Sequence, residues 1–154
     1  AMKFPPLGKR GITGGTVTGY GQLALSDYIA RANEEILLVP MIESQSGLNA
    51  LPDMLATGQV SFVMEGALDL ALNLGLGPSP LHPATFEALN NMHEICVQAN
   101  VPFCPNPRTP SQQRHWQELG CTLFLCGEDR SHFSKTLRNN LQPFHTPQPA
   151  PQGA

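Results

Sequence analysis

Basic residues are scarce in this chain. It has three lysines (Lys3, Lys9, Lys135), no basic run, and a net charge of about −3. Nucleic acid is thereby excluded as an expected partner, because a phosphate backbone needs a clustered positive face. No run of 18 apolar residues occurs, so no membrane-spanning helix is expected. The four cysteines (Cys96, Cys104, Cys121, Cys126) form no CxxC pair, and zinc sites use tight ligand spacings. No secretory signal is visible, and Ala1 ahead of Met2 reads as a tag remnant. The thiols are therefore expected to be reduced, in a cytoplasmic protein. Glycine recurs at Gly11, Gly14, Gly15, Gly19 and Gly21, but without GxGxxG or Walker spacing, so a phosphate cradle is weakly supported.

What is present is strand and helix in alternation. The stretch Leu37–Leu70 holds two short apolar runs, Leu37–Ile42 and Val60–Met64, bounded by turn residues, which read as buried strands. Between them Leu48, Leu51 and Leu55 recur at helical spacing, and Gly58 stops the helix. This is a strand–helix–strand crossover. An acid follows each strand, Glu43 directly and Asp69 a few residues on. In parallel α/β folds ligands bind beyond the carboxyl ends of the strands, so both carboxylates are expected at one rim. The alternative is two strand-end acids that merely cap the following turns.

The rest of the chain extends the pattern. Strands are expected near residues 10–13, 36–42, 60–65, 101–104 and 122–126. Ser26 is read as the cap of a helix to about Asn33. Pro83 opens a helix to about Ala99, with Phe86, Leu89, His93, Cys96 and Ala99 on one face. Thr109-Pro110-Ser111-Gln112 has the form of a capping box, ahead of a helix burying Trp116 and Leu119. A last helix over about 131–141 is expected to bury Phe133, Leu137 and Leu141. Met41 and Met64 are expected in the core. His93 and His115 are read as half-buried or solvent-facing, and His132 and His145 as surface residues. Residues 142–154 carry four prolines and three glutamines and read as a disordered tail after a domain over residues 1–141. Five βα units in this length make either a small open parallel sheet or part of a (β/α)₈ barrel, which needs about 250 residues when complete.

Particular residues carry a resemblance that separates these. The motif V-P-M-I-E-S at Val39–Ser44, E-G-A-L-D-L at Glu65–Leu70, L-x-L-G at Leu72–Gly75 and His82-Pro83 resemble the HpcH/HpaI aldolase (citrate lyase β-like) family. FPPLGKRG at Phe4–Gly11 and Y-I-x-x-A-N at Tyr28–Asn33 add to it. The resemblance implies the C-terminal portion, about five βα units, of a TIM barrel that makes or breaks carbon–carbon bonds beside a 2-oxo acid such as pyruvate or oxaloacetate. It implies a divalent metal (Mg²⁺ or Mn²⁺) on Glu43 and Asp69, and a substrate carboxylate held by the Leu68 and Asp69 amides, with Gly66 and Ala67 shaping the turn. The chemistry agrees, since a developing enolate needs a Lewis acid and hard cations prefer oxygen ligands.

Two departures stand out. Ala67 replaces the family's usual proline, and Glu65 stands where an apolar residue is usual. The E-G-A-x-D-L form resembles the siderophore branch, which makes citrate from oxaloacetate and acetyl-CoA and includes members that need no metal. The family's catalytic His with its Asp partner, and its substrate Arg, belong to the earlier half of the barrel. Glu65 is then either a site acid or paired with a neighbouring strand. Arg10 either binds a carboxylate or makes a structural ion pair, and His82 is a minor site candidate near the rim. The glycine-rich loop is either a cover for the substrate or a plain connection. The resemblance further implies a homo-oligomer that exchanges its C-terminal helix; a half-barrel working only with another chain is the non-enzyme reading.

Overall fold

The structure is a computed structural model that describes residues 2–144. The chain divides into two compact units, Ala1–Cys104 and Pro105–Ala154.

The first unit is built on a parallel sheet in the order β1 (Met41–Ile42), β2 (Val63–Glu65), β3 (Phe103–Cys104). Met41 pairs with Met64, Ile42 with Glu65, Val63 with Phe103 and Met64 with Cys104. All three strands are shorter than the apolar runs that contain them. Pro40 and Pro102 explain part of this: their carbonyls accept from Met64 N–H (3.0 Å) and Val63 N–H (2.9 Å), but neither has an N–H to return. No strand forms at residues 10–13. There the Arg10 N–H donates to Lys3 O (2.9 Å) and the Gly8 N–H to Phe4 O (3.1 Å), so the backbone is spent in a turn.

Helices α1 (Leu25–Glu35), α2 (Gln45–Ala56), α3 (Ala67–Asn73) and α4 (Pro83–Gln98) accompany the sheet. α2 buries Leu48, Leu51 and Leu55, as its spacing predicts, and Gly58 takes the left-handed conformation (φ 65°) that ends it. α4 buries Leu89, His93 and Cys96, but also Thr85 and Met92, while Ala99 is exposed. His93 is thus a core residue, its ring edge-on to Phe103 with centroids 5.8 Å apart. Leu51, Leu70, Leu89, Met92 and Val63 form the fully buried centre, each contributing about 1.5–3 kcal/mol by burial. Met41 is not in it: β1 has one neighbour strand, and Met41 is 45% exposed. α1 starts one residue before Ser26 with Ala24 as N-cap and no side-chain cap.

The amino-terminal segment is held to α1 by its own sequence. Asn33 treats Phe4 as a strand would: Phe4 N–H donates to Asn33 Oδ1 (2.7 Å), and Asn33 Nδ2 donates to Phe4 O (3.2 Å). Lys3 Nζ donates to Asn33 O. The Phe4 ring is 1% exposed and meets Tyr28 edge-on at 5.8 Å.

The second unit holds α5 (Pro110–Glu118) and α6 (Asp129–Leu141). Thr109 Oγ1 accepts from Gln112 N–H (3.2 Å), the cap its sequence predicts. The Gln112 side chain reaches back one residue further than a capping box, accepting from Arg108 N–H (2.9 Å). Trp116 is buried, whereas Leu119 is 45% exposed, because it falls outside the helix as its C-cap. Residues 121–128 form no strand; the single Leu125 N–H to Pro105 O bond (3.0 Å) is not a ladder. α6 buries nothing: Phe133 is 71% exposed, Leu137 and Leu141 46%. Gln142–Phe144 form a 3₁₀ turn at the start of the expected tail. The rest of that tail, with His145, lies outside the described residues. Among the described residues no helix is long and apolar enough to cross a membrane.

Candidate functional site

The site candidates gather where β1 and β2 end. These strands are adjacent and parallel, so their carboxyl ends share an edge of the sheet. Ile42 is buried and Glu43, the next residue, is exposed. Ser44 then turns the chain into α2, its Oγ accepting from Gly47 N–H at 3.1 Å. On the neighbouring strand Glu65 is followed by Gly66, whose N–H donates to Ile42 O (3.0 Å) and which is the N-cap of α3.

Glu43 and Gly66 are in direct apposition. A Cβ on Gly66 would overlap Glu43 Cγ and come within 3.2 Å of Ile42 O and 3.3 Å of Glu43 Cβ. The absence of a side chain at Gly66 is what leaves room for Glu43. The Gly66 backbone (φ −117°, ψ 58°) is open to other residues, so the requirement for glycine here is steric.

α3 is a short helix that opens directly after β2. Gly66 has no side chain with which to cap it, so the first-turn amides of Ala67, Leu68 and Asp69 have no acceptor within the helix. Asp69 stands at the third helical position and is exposed, where its charge suits the positive end of the helix. Ala67 is fully buried and Leu68 46% exposed.

The other candidates take different places. Glu65 is 4% exposed, on the same side of β2 as buried Val63, and no buried side-chain polar atom among the described residues lacks a partner. Glu65 therefore faces inward, unlike Glu43 and Asp69. His82 is a helix cap: its Nδ1 accepts from Ala84 N–H at 3.1 Å, at the start of α4. Arg10 lies elsewhere. Its guanidinium stacks over the Phe4 ring at 4.6 Å and reaches Tyr28 Oη at 3.4 Å. It borders a cleft of about 470 Å³ along α1, with Val17, Leu23, Asp27 and Tyr28, that shares no lining residue with the strand-end acids. In that cleft the hydrogen bond and charge of Glu35, 2.7 Å away, raise the already high pKa of Arg31, but both side chains are exposed.

Two features escaped the sequence reading. Ser44 is a capping residue type directly after a strand, so its role was open to inference. Asn73 at the end of α3, whose Oδ1 accepts from Gln45 N–H (2.9 Å), gave no signal, because its partner lies 28 positions away.

Among the described residues no group of three or more His, Cys, Asp or Glu side chains is placed to hold a metal. Two exposed carboxylates remain at this edge, and hard oxygen donors of that kind fit Mg²⁺ or Mn²⁺, which are commonly held by one or two protein carboxylates.

Comparison with known proteins extends the picture. The family model of HpcH/HpaI aldolase/citrate lyase matches residues 2–126. A hydroxypyruvate/pyruvate aldolase of Deinococcus radiodurans is 30% identical over 158 residues, covering 99% of this chain and 57% of that protein. An HpcH/HpaI aldolase/citrate lyase family protein of Burkholderia cenocepacia superposes with a TM-score of 0.77 at 26% identity, covering 94% of this chain and 58% of the other. The citrate synthase SbnG superposes with a TM-score of 0.74 at 25% identity, covering 93% and 54%. The chain thus spans a little over half the length of the relatives it matches. With the model covering most of its residues and the strand-end acids standing in an α/β frame of the same kind, the chain belongs to the HpcH/HpaI aldolase/citrate lyase family.

Proposed function

We propose that this chain carries the cation- and carboxylate-binding part of a carbon–carbon lyase of aldolase type acting on a 2-oxo acid. The observation that supports it best is the seating of Glu43 against Gly66. Asp69 follows three residues after Gly66, in the first turn of the helix that Gly66 caps. Two exposed carboxylates following the ends of paired strands suit one divalent cation, Mg²⁺ or Mn²⁺. Such a cation would act as a Lewis acid on the enolate oxygen of the 2-oxo acid. The Leu68 and Asp69 N–H groups, in the first turn of α3, are suited to donate to the substrate carboxylate, since helix N-termini favour anions.

In this reading the three-stranded sheet is part of a (β/α)₈ barrel. The proton-transferring His with its Asp partner, and the substrate Arg, belong to the part that precedes Phe4 in the family. Relatives named hydroxypyruvate/pyruvate aldolase support the pyruvate enolate as the shared species. Arg10, engaged with Phe4 and Tyr28, is assigned a structural role, and so is His82. Buried Glu65 is assigned to the frame of the site.

A second reading, condensation of oxaloacetate with acetyl-CoA, is favoured by the similarity to SbnG and by the Glu65 and Ala67 departures. The assembly proposed for either reading is a homo-oligomer in which α6 packs on a second copy, supported by its exposed Phe133, Leu137 and Leu141.

The test is Mn²⁺ titration of the chain, together with pyruvate release from a 4-hydroxy-2-oxo acid by a protein that also carries the preceding part of the barrel, for wild type, Glu43→Gln and Asp69→Asn. Both substitutions should abolish Mn²⁺ binding and Mn²⁺-dependent turnover. Unchanged affinity and turnover in either variant would overturn the assignment. Thiol release from acetyl-CoA with oxaloacetate, without aldol cleavage, would select the second reading.

A further inference from the structure

The structure assigns to Asn73 the role of a positioning residue that holds the Glu43 turn at a set distance from the helix carrying Asp69. This inference rests on the reading of Glu43 and Asp69 as a cation pair.

The segment Glu43-Ser44-Gln45 is fastened at both ends to one neighbour. Before it, Ile42 O accepts from Gly66 N–H at 3.0 Å. After it, Gln45 N–H donates to Asn73 Oδ1 at 2.9 Å. Gly66 and Asn73 are the N-cap and the last residue of α3. Glu43 is therefore suspended between two hydrogen bonds to the same short element, and Asp69 lies on that element between the two anchor points.

The second anchor is chemically apt. Gln45 is the first residue of α2, and its N–H has no acceptor in its own helix. Ser44 Oγ takes Gly47 N–H instead, so within this turn the Gln45 amide is left for a group from outside, which Asn73 supplies. Ser44 closes the turn from within; Asn73 ties it to α3. Without Asn73 the turn keeps its fold but loses its tether on the α2 side, and Glu43 must then be ordered when a cation binds. The loss of one hydrogen bond of this kind is expected to weaken cation binding about three- to tenfold.

Asn73→Leu removes the acceptor at similar volume, and Asn73→Asp keeps an oxygen in its place. The readouts are hydrogen exchange at the Gln45 amide, Mn²⁺ affinity from the free-ion resonance signal, and thermal melting, all on the intact chain. Asn73→Leu should speed Gln45 exchange and weaken Mn²⁺ binding about three- to tenfold, with melting lowered by no more than about 4 °C. Asn73→Asp should restore both. Mn²⁺ binding that depends on Glu43 but is indifferent to Asn73→Leu, or that Asn73→Asp fails to restore, overturns the positioning role alone. A wild-type chain that binds no Mn²⁺, or Glu43→Gln binding it as well as wild type, overturns the cation pair itself; Gln45 exchange still reports whether the tether exists.

Discussion

Glu43 occupies the space that a side chain on Gly66 would need, so one residue of the family motif is shaped by the other. The two stand at the ends of paired strands, joined by the Gly66 N–H to Ile42 O bond. Gly66→Ala should therefore act through Glu43. The added methyl forces a shift of Glu43 or of the strand end, at a cost of about 1–3 kcal/mol, with loss of Mn²⁺ affinity. In a Glu43→Ala background, which removes Cγ, the same substitution should cost under about 1 kcal/mol. Urea unfolding of the four proteins in the cycle measures the coupling, and simple additivity would refute it.

Asn33 should be a stability residue. Its amide satisfies both backbone groups of Phe4, which is 1% exposed. Asn33→Ala leaves the Phe4 N–H unmatched, while Phe4 O keeps its bond from the Gly8 N–H, and one unmatched buried donor costs about 1–3 kcal/mol. Asn33→Asp keeps the acceptor and should recover part of the loss. Denaturant midpoints of the three proteins test this, and wild-type stability in Asn33→Ala would disprove it.

His82 should behave as a helix cap and not as a site residue. His82→Ala should cost about 1 kcal/mol, and His82→Asp should hold or raise the melting temperature, because a carboxylate caps well and suits the helix dipole. Mn²⁺ affinity should be the same in all three. A drop in affinity with unchanged melting would return His82 to the site.

The α6 stripe should govern assembly. Phe133, Leu137 and Leu141 recur every four residues and stay exposed. Leu137→Asp should lower the mass measured in solution by light scattering towards 16.6 kDa. A wild-type chain already running at that mass would remove the proposed role for the helix.

Much of this was open to reading along the chain. Leu48, Leu51 and Leu55 dictate which face of α2 is buried. Gly58, Pro83 and Thr109 mark helix ends through backbone geometry and caps that involve only near neighbours. The acids after two apolar runs, with their flanking motifs, were enough to indicate the family. Other expectations failed for identifiable reasons. The strands expected at residues 10–13 and 122–126 do not form, because a ladder needs a partner's N–H and C=O in register, which a short segment of sequence cannot report. Met41, Phe133, Leu137 and Leu141 were read as buried because periodicity registers an apolar face whether or not anything in the chain covers it.

The amino-acid sequence on its own determined the strand–helix–strand run through β1, α2 and β2, the caps made between near neighbours, the face of α2 that turns inward, and the kind of acid that follows each of these strands. These are local consequences of side-chain shape, spacing and backbone freedom. Only the tertiary structure decided that Gly66 is bare because Glu43 lies across it, that Asn73 meets the first amide of α2, that Glu65 turns inward, and that Arg10 stacks on Phe4 away from the acids. The three contacts among these join residues 6 to 28 positions apart over a few ångströms, and they, like the burial of Glu65, exist only once the chain has closed on itself.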